Sequence, residues 1–148
     1  MSTNDSAIPT RVLVIDDDYL VRDFAVQAIE YGINHKVTTY ESGFQAWQFI
    51  KSRHQHVDVI IADANIPDMT GLELLERVKS RYPEMVFIIT SGDPETESGA
   101  QHLGADAFIS KPFDASDLFA IIKRFGRKPA PPRDATVTVI EGNSEDRY

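Results

Sequence analysis

Residues 11–18 read RVLVIDDD: four apolar residues, Val12 to Ile15, run directly into three aspartates. A strand with one wet face alternates apolar and polar side chains, whereas a strand covered on both faces is apolar throughout. Val12–Ile15 is of the second kind, a central strand of a sheet with helices on both sides. The same signature recurs at 57–62, from Val57 to Ala62 with only Asp58 interrupting, and at 85–89, from Met85 to Ile89. Lys36–Tyr40 and Ala107–Ile109 are shorter and more polar at their flanks, and read as two further strands.

Between these runs the apolar spacing becomes helical. Val21, Phe24, Ala25 and Ala28 lie at i, i+3, i+4 and i+7, with Gly32 as a C-terminal stop. Ser42 and Gln45 have capping-box spacing just ahead of Ala46, Trp47 and Ile50. Residues 71–80 carry Leu72, Leu75 and Val78 and end before the Tyr82-Pro83 breaker. Asp114 can cap a last helix striped by Leu118, Ile121, Ile122 and Phe125. The segment 94–103 is the weakest helix, with Ser98-Gly99 inside it and almost no large apolar residue. Trp47 and the phenylalanines at helical spacing are assigned to the core. Strands alternating with helices over about 115 residues make a doubly wound α/β domain with a five-stranded parallel sheet.

The remaining composition narrows the function class. At 148 residues the chain holds one domain plus a short tail. Hydrophobic residues at 42% and charged residues at 26% place it among globular proteins and not among disordered or fibrous ones. Fifteen Lys and Arg against 23 Asp and Glu give a net charge of −8, which argues against direct nucleic-acid or anionic-membrane binding. With no cysteine there is no disulfide framework, thiolate nucleophile or Cys-type zinc site. MSTNDSAIPT, at the start, lacks the basic-then-apolar order of a signal peptide, and the apolar runs are only strand-length. A cytoplasmic location is the expectation.

Strand C-terminal ends in such a sheet converge on one edge, where sites form. Asp16, Asp17 and Asp18 follow the first strand, Asp63 the third, Thr90 and Ser91 the fourth, and Lys111 the fifth. Clustered carboxylates repel, and their ionised forms need compensating charge. Mg²⁺, a hard cation that takes oxygen ligands, and a single Lys can supply it. A carboxylate beside Mg²⁺ can attack phosphorus to give an aspartyl phosphate. Metal, Lys and a Thr hydroxyl then balance the charge on the phosphoryl oxygens. Each residue alone has a plainer reading, Asp18 as a helix cap above all. Together, at the ends of different strands on one edge, they point to a site. The four histidines show no ligand spacing with carboxylates, and His54-Gln55-His56 reads as a solvated turn.

These segments resemble the receiver domain of two-component response regulators, a flavodoxin-like (βα)5 fold. VLVIDDD resembles the acidic-pair strand, VDVIIADANIPDMTGLELL the phosphoacceptor segment, FIITSG the hydroxyl-bearing strand end, and GADAFISKPF the lysine segment. The resemblance implies that Asp63 is the phosphoacceptor, charged by a histidine kinase or phosphotransfer protein. It implies Mg²⁺ held by the side chains of Asp17 and Asp63, by the Asn65 backbone carbonyl, and by Asp16 largely through water. Thr90 and Lys111 would bind the phosphoryl group, Phe108 would be the aromatic switch residue, and Lys111-Pro112 a cis peptide. Such a protein catalyses only its own phosphoryl transfer and autodephosphorylation, and signals by phosphorylation-dependent binding of a downstream protein.

The chain departs from the family pattern at several points. The stretch from Thr90 to Gly104 is slightly short, Thr70 stands where Asp or Ser is common, and Phe108 replaces the commoner Tyr. Gly92, two beyond Thr90, leaves the phosphoryl pocket less shielded, in keeping with a short-lived phosphoryl group. Two other readings remain open. One is a haloacid-dehalogenase-type phosphohydrolase with Asp16 as nucleophile and Asp18 as acid/base, which leaves Asp63, Pro67 and Gly71 without a role. The other is a receiver-like module that binds partners without phosphorylation. The expected organisation is an N-terminal extension (1–10), a receiver domain (11–125) and a Pro-rich tail (126–148). The tail carries four basic and four acidic residues, so the whole −8 belongs to the body. The 23 residues after Phe125 are too few for an effector domain, so a stand-alone regulator is expected. Ala135–Ile140 is β-prone, which makes the tail one candidate homodimer surface. The face of the fourth helix, fifth strand and fifth helix is the other.

Overall fold

In the computed structural model, which describes residues 8–128, the apolar run of the opening segment forms β1 (Arg11–Ile15). There follow α1 (Tyr19–Ala25), β2 (Lys36–Tyr40), α2 (Gly43–Arg53), β3 (Val59–Asp63) and α3 (Gly71–Arg81). The last elements are β4 (Val86–Ser91), α4 (Thr96–His102), β5 (Ala107–Ser110) and α5 (Ala115–Phe125). The sheet is parallel throughout, in the order β2-β1-β3-β4-β5. The expected five-stranded, doubly wound sheet is therefore observed. Expectations for 1–7 and for the tail from residue 129 on lie outside the described residues.

Strand alternation explains why both faces must be covered. Leu13, Ile15, Ile60, Phe87 and Ile89 join Trp47 and Ile50 of α2 and Leu74, Leu75 and Val78 of α3 in one core cluster. Val12, Val14, Val59, Ile61 and Ile88 join Ala25 of α1 and Leu118, Ile121 and Ile122 of α5 in a second. β1, β3 and β4 thus feed two cores with successive residues, which is why their apolar runs are unbroken, whereas β2 at the sheet edge is more polar. Trp47 is buried, as expected, but Phe24, Phe44 and Phe119 are exposed on their helices and lie outside the core.

Several boundaries differ from the sequence reading, each for a local reason. Strand β3 starts at Val59 and not at Val57, because Asp58 turns to clasp Arg11. The Asp58 carboxylate accepts from the Arg11 backbone N at 2.8 Å, from Nε at 3.0 Å and from Nη2 at 3.0 Å. The first helix continues past Ala25 as a π-helical segment, Val26–Gly32, so the stop at Gly32 holds while the winding changes. Residues 54–56 are a turn with Gln55 and His56 exposed, as expected, and only His54 half-buried. They form a 3₁₀ turn in which the His54 ring stacks on Tyr82, with centroids 4.3 Å apart. Helix α4 is as weak as its composition: seven residues, no side-chain cap, and Ala100 as its buried residue. Helices α3 and α5 have full capping boxes, Thr70 with Glu73 and Asp114 with Asp117. Among the described residues no helix is long and apolar enough to cross a membrane.

The two cores make a stability prediction. Leu74 is completely buried between α3 and the sheet, so Leu74→Ala should cost about 3 kcal/mol in urea unfolding. Ser98→Ala, on the exposed face of α4, should change it by less than about 0.5 kcal/mol.

Candidate functional site

Parallel register brings the expected residues to one level. Ile15 pairs with Ala62, so Asp16 and Asp63 emerge side by side from the ends of β1 and β3. Asp63 itself pairs with Thr90 on β4. Ser91 pairs with Ser110 at the end of β5, one residue before Lys111. The site therefore sits where strand order reverses on either side of β1, the place where doubly wound sheets open a crevice. Gly71 lets α3 start against that crevice: a Cβ there would lie 2.2 Å from the Asp63 carbonyl oxygen. The Lys111-Pro112 peptide is cis, as the resemblance implied.

The Lys111 ammonium joins the carboxylates, donating to Asp16 Oδ2 at 2.8 Å and to Asp63 Oδ2 at 3.1 Å. Asp16 is 1% exposed, Asp63 8% and Thr90 2%, so this polarity is held out of bulk water. Asp17 is exposed at the mouth, yet its carboxylate completes a cluster with Asp16 and Asp63 in which oxygens lie within 4.8 Å of one another. Three carboxylates facing one ammonium leave negative charge uncompensated, and an oxygen-only donor set of this size suits a hard divalent cation. Burial raises the Asp16 pKa, against the opposing pull of its hydrogen bond from Lys111. Burial alone would lower the Lys111 pKa, but hydrogen bonds and charge from Asp16 and Asp63 outweigh it and the net shift is upward.

Asn65 is exposed just beyond the strand, with its backbone N–H donating to Asp63 Oδ1 at 3.2 Å. Phe108, paired with Ile89, is half-buried against the first core cluster. Asp18 does not join the group. Its Oδ1 accepts from Leu20 N at 2.9 Å and so caps α1, the plainer role that the sequence allowed it. Sequence reasoning passed over two residues. Arg22 Nη1 donates to the Asp16 backbone oxygen at 2.9 Å, tying α1 to the acidic turn. Asp68, in the loop between β3 and α3, binds the start of α2. Both act on backbone groups of another segment, a pairing that no spacing within one element signals.

The fold and this arrangement are those of a receiver domain, and the family model for the response regulator receiver domain matches residues 12–123. The chain belongs to that family. It is 32% identical over 125 residues to the probable transcriptional regulatory protein TcrX of Mycobacterium tuberculosis, covering 80% of this chain and 52% of that protein. It is 29% identical to the transcriptional regulatory protein CrdR of Helicobacter pylori, over 78% of this chain and 54% of the relative. The chain thus spans about half the length of these relatives. Among solved structures, a response regulator receiver domain protein from Clostridium thermocellum superposes with a TM-score of 0.73 at 27% identity. That match covers 78% of this chain and 92% of the other. Chemotaxis response regulator CheY4 of Vibrio cholerae gives 0.70 at 27%, covering 80% and 99%.

The raised Asp16 pKa sets a pH dependence. A carboxyl that binds its proton more tightly when folded favours folding below its native pKa and opposes it as pH rises through and above that value. In metal-free buffer at pH 7, Asp16→Asn should therefore melt at a higher temperature than the parent. The difference should shrink as pH falls into the carboxylate range, as thermal melts across pH 4–8 will show.

Proposed function

We propose that this chain is a phosphorylation-controlled switch in which Asp63 takes a phosphoryl group from a histidine kinase or phosphotransfer protein, with Mg²⁺ bound. The observation that carries the reading is the Asp63 carboxylate itself. It is buried at a strand end, held through Oδ2 by Lys111 and through Oδ1 by the Asn65 amide, and level with the Thr90 side chain. Asp16, Asp17, Asp63 and the Asn65 carbonyl would hold the metal, which supplies positive charge for the phosphoryl oxygens. One Asp63 oxygen bonds to phosphorus as the donor's phosphorus–nitrogen bond breaks, and the imidazole leaves with that electron pair. Lys111 pairs with a phosphoryl oxygen, and the Thr90 hydroxyl donates to another. Hydrolysis of the acyl phosphate later returns the carboxylate, so the only chemistry is on the chain itself.

Apolar surface beside the site supports docking of a donor protein. A hollow of about 420 Å³ is lined by Leu20, Val21, Phe24, Pro112 and Phe113 together with Asp18 and Lys111. Leu20 is 72% exposed and the neighbouring Tyr19 65%, unusual for such large side chains unless a partner covers them. Output then follows from rearrangement around Thr90 and Phe108 that changes which protein the surface binds. Phe108 has no hydroxyl, so its part in that change is packing alone. The reading places the chain in the cytoplasm with the kinase's phosphodonor domain.

Acetyl phosphate with Mg²⁺ should add one phosphoryl group to the intact chain, seen by mass spectrometry. Asp63→Asn and removal of Mg²⁺ by EDTA should each abolish the addition. Undiminished labelling of the Asp63→Asn protein would overturn the assignment.

A further inference from the structure

A helix start leaves backbone amides in need of acceptors. In α2 the Ser42 hydroxyl oxygen takes only one of them, Gln45 N at 3.1 Å, and Gln45 returns nothing to Ser42. The acceptor for the others comes from a different segment. Asp68 lies in the loop between β3 and α3, and its carboxylate is fully engaged across the gap. Oδ1 accepts from Gly43 N at 3.0 Å and from Met69 N at 3.0 Å. Oδ2 accepts from the Ser42 hydroxyl at 2.5 Å and from Phe44 N at 3.1 Å. Contact is close as well as polar: a Cβ on Gly43 would lie 2.4 Å from the Met69 carbonyl oxygen.

The far end of the same loop is pinned to the site. Ala64 N donates to the Thr90 oxygen at 2.9 Å, and Gly71 N donates to the Ala64 oxygen at 3.0 Å. Between the two anchors stands Asn65, the residue whose backbone carbonyl faces metal duty in the function proposed above. The Ser42 hydroxyl bond first, and then the amides of Phe44 and Gly43, hold the Asp68 carboxyl down to about 2. It therefore stays ionised at any physiological pH, and the anchor is permanent and not a pH switch.

We propose that Asp68 is a positioning residue, a latch that fixes the phosphoacceptor loop to the start of α2 and so presets the Asn65 carbonyl for the divalent cation. This rests on the metal-dependent reading of the site. A preset ligand spares the ordering cost at the moment of binding, so the latch acts on cation affinity and not on the phosphoryl-transfer step. Partners bonded directly to a metal ligand are worth about tenfold or more in affinity, and Asp68, which acts on Asn65 through the loop, is expected at the lower end of that range.

The test uses the full chain and two readouts. Calorimetric titration with Mg²⁺ alone should show Asp68→Ala weakened about tenfold, with Asp68→Asn, which keeps one acceptor oxygen, in between. Initial rates of acetyl phosphate labelling against Mg²⁺ should show the same shift in half-saturation, with the maximum rate within about twofold of the parent. A Mg²⁺ affinity within about twofold of the parent overturns the latch. So does a fall in maximum rate equal to the fall in affinity, the mark of a generally loosened fold. If Asp68→Ala fails to fold, Asp68→Asn decides by the same criteria. A parent protein that neither binds Mg²⁺ nor labels would instead overturn the proposed function, and the latch with it.

Discussion

One half-buried ammonium holds the acidic edge of the sheet together. The Lys111 side chain bridges Asp16 and Asp63, residues that leave the sheet from different strands and would repel each other if left alone. Its own position depends on β5 pairing with β4, so the charge balance depends on the sheet being closed in register. The balance is incomplete by design of the residues: three carboxylates face one Lys, and Asp17 stays at the solvent side of the cluster. A site built this way favours the arrival of positive charge, which a hard divalent cation would supply.

The rest of the domain serves that edge by keeping it rigid on one side and adaptable on the other. Helices α2 and α3 are well anchored by large buried side chains, and α2 is further bound to the loop between β3 and α3 by Asp68. Helix α4 has little to hold it beyond Ala100 and the Ser91–Thr96 hydroxyl contact. Ser91 directly follows Thr90 and contacts Thr96 at the start of α4, so the least anchored helix is tied to the strand end that pairs with Asp63. Low local stability is what a moving element requires. The Ser98-Gly99 pair and the lack of apolar residues are therefore as informative as the motifs.

The amino-acid sequence by itself determined the architecture. Unbroken apolar runs fix strands buried on both faces, 3.6-period stripes fix the helices between them, and parallel connection then leaves one edge for Asp16, Asp63, Thr90 and Lys111. These are properties of residue type and spacing, which act locally and are carried by the chain in any conformation. Only the tertiary structure decided how the aspartates divide, with Asp16 drawn into the core by Lys111, Asp17 left at the solvent side of the cluster, and Asp18 kept as the cap that its residue type allowed. It also decided that His54 stacks on Tyr82, that the first helix widens into π winding, and that Arg22 and Asp68 bind the backbone of other segments. Hydrogen bonds between segments distant in the chain depend on distances and directions that exist only once both cores have packed, and no periodicity encodes them.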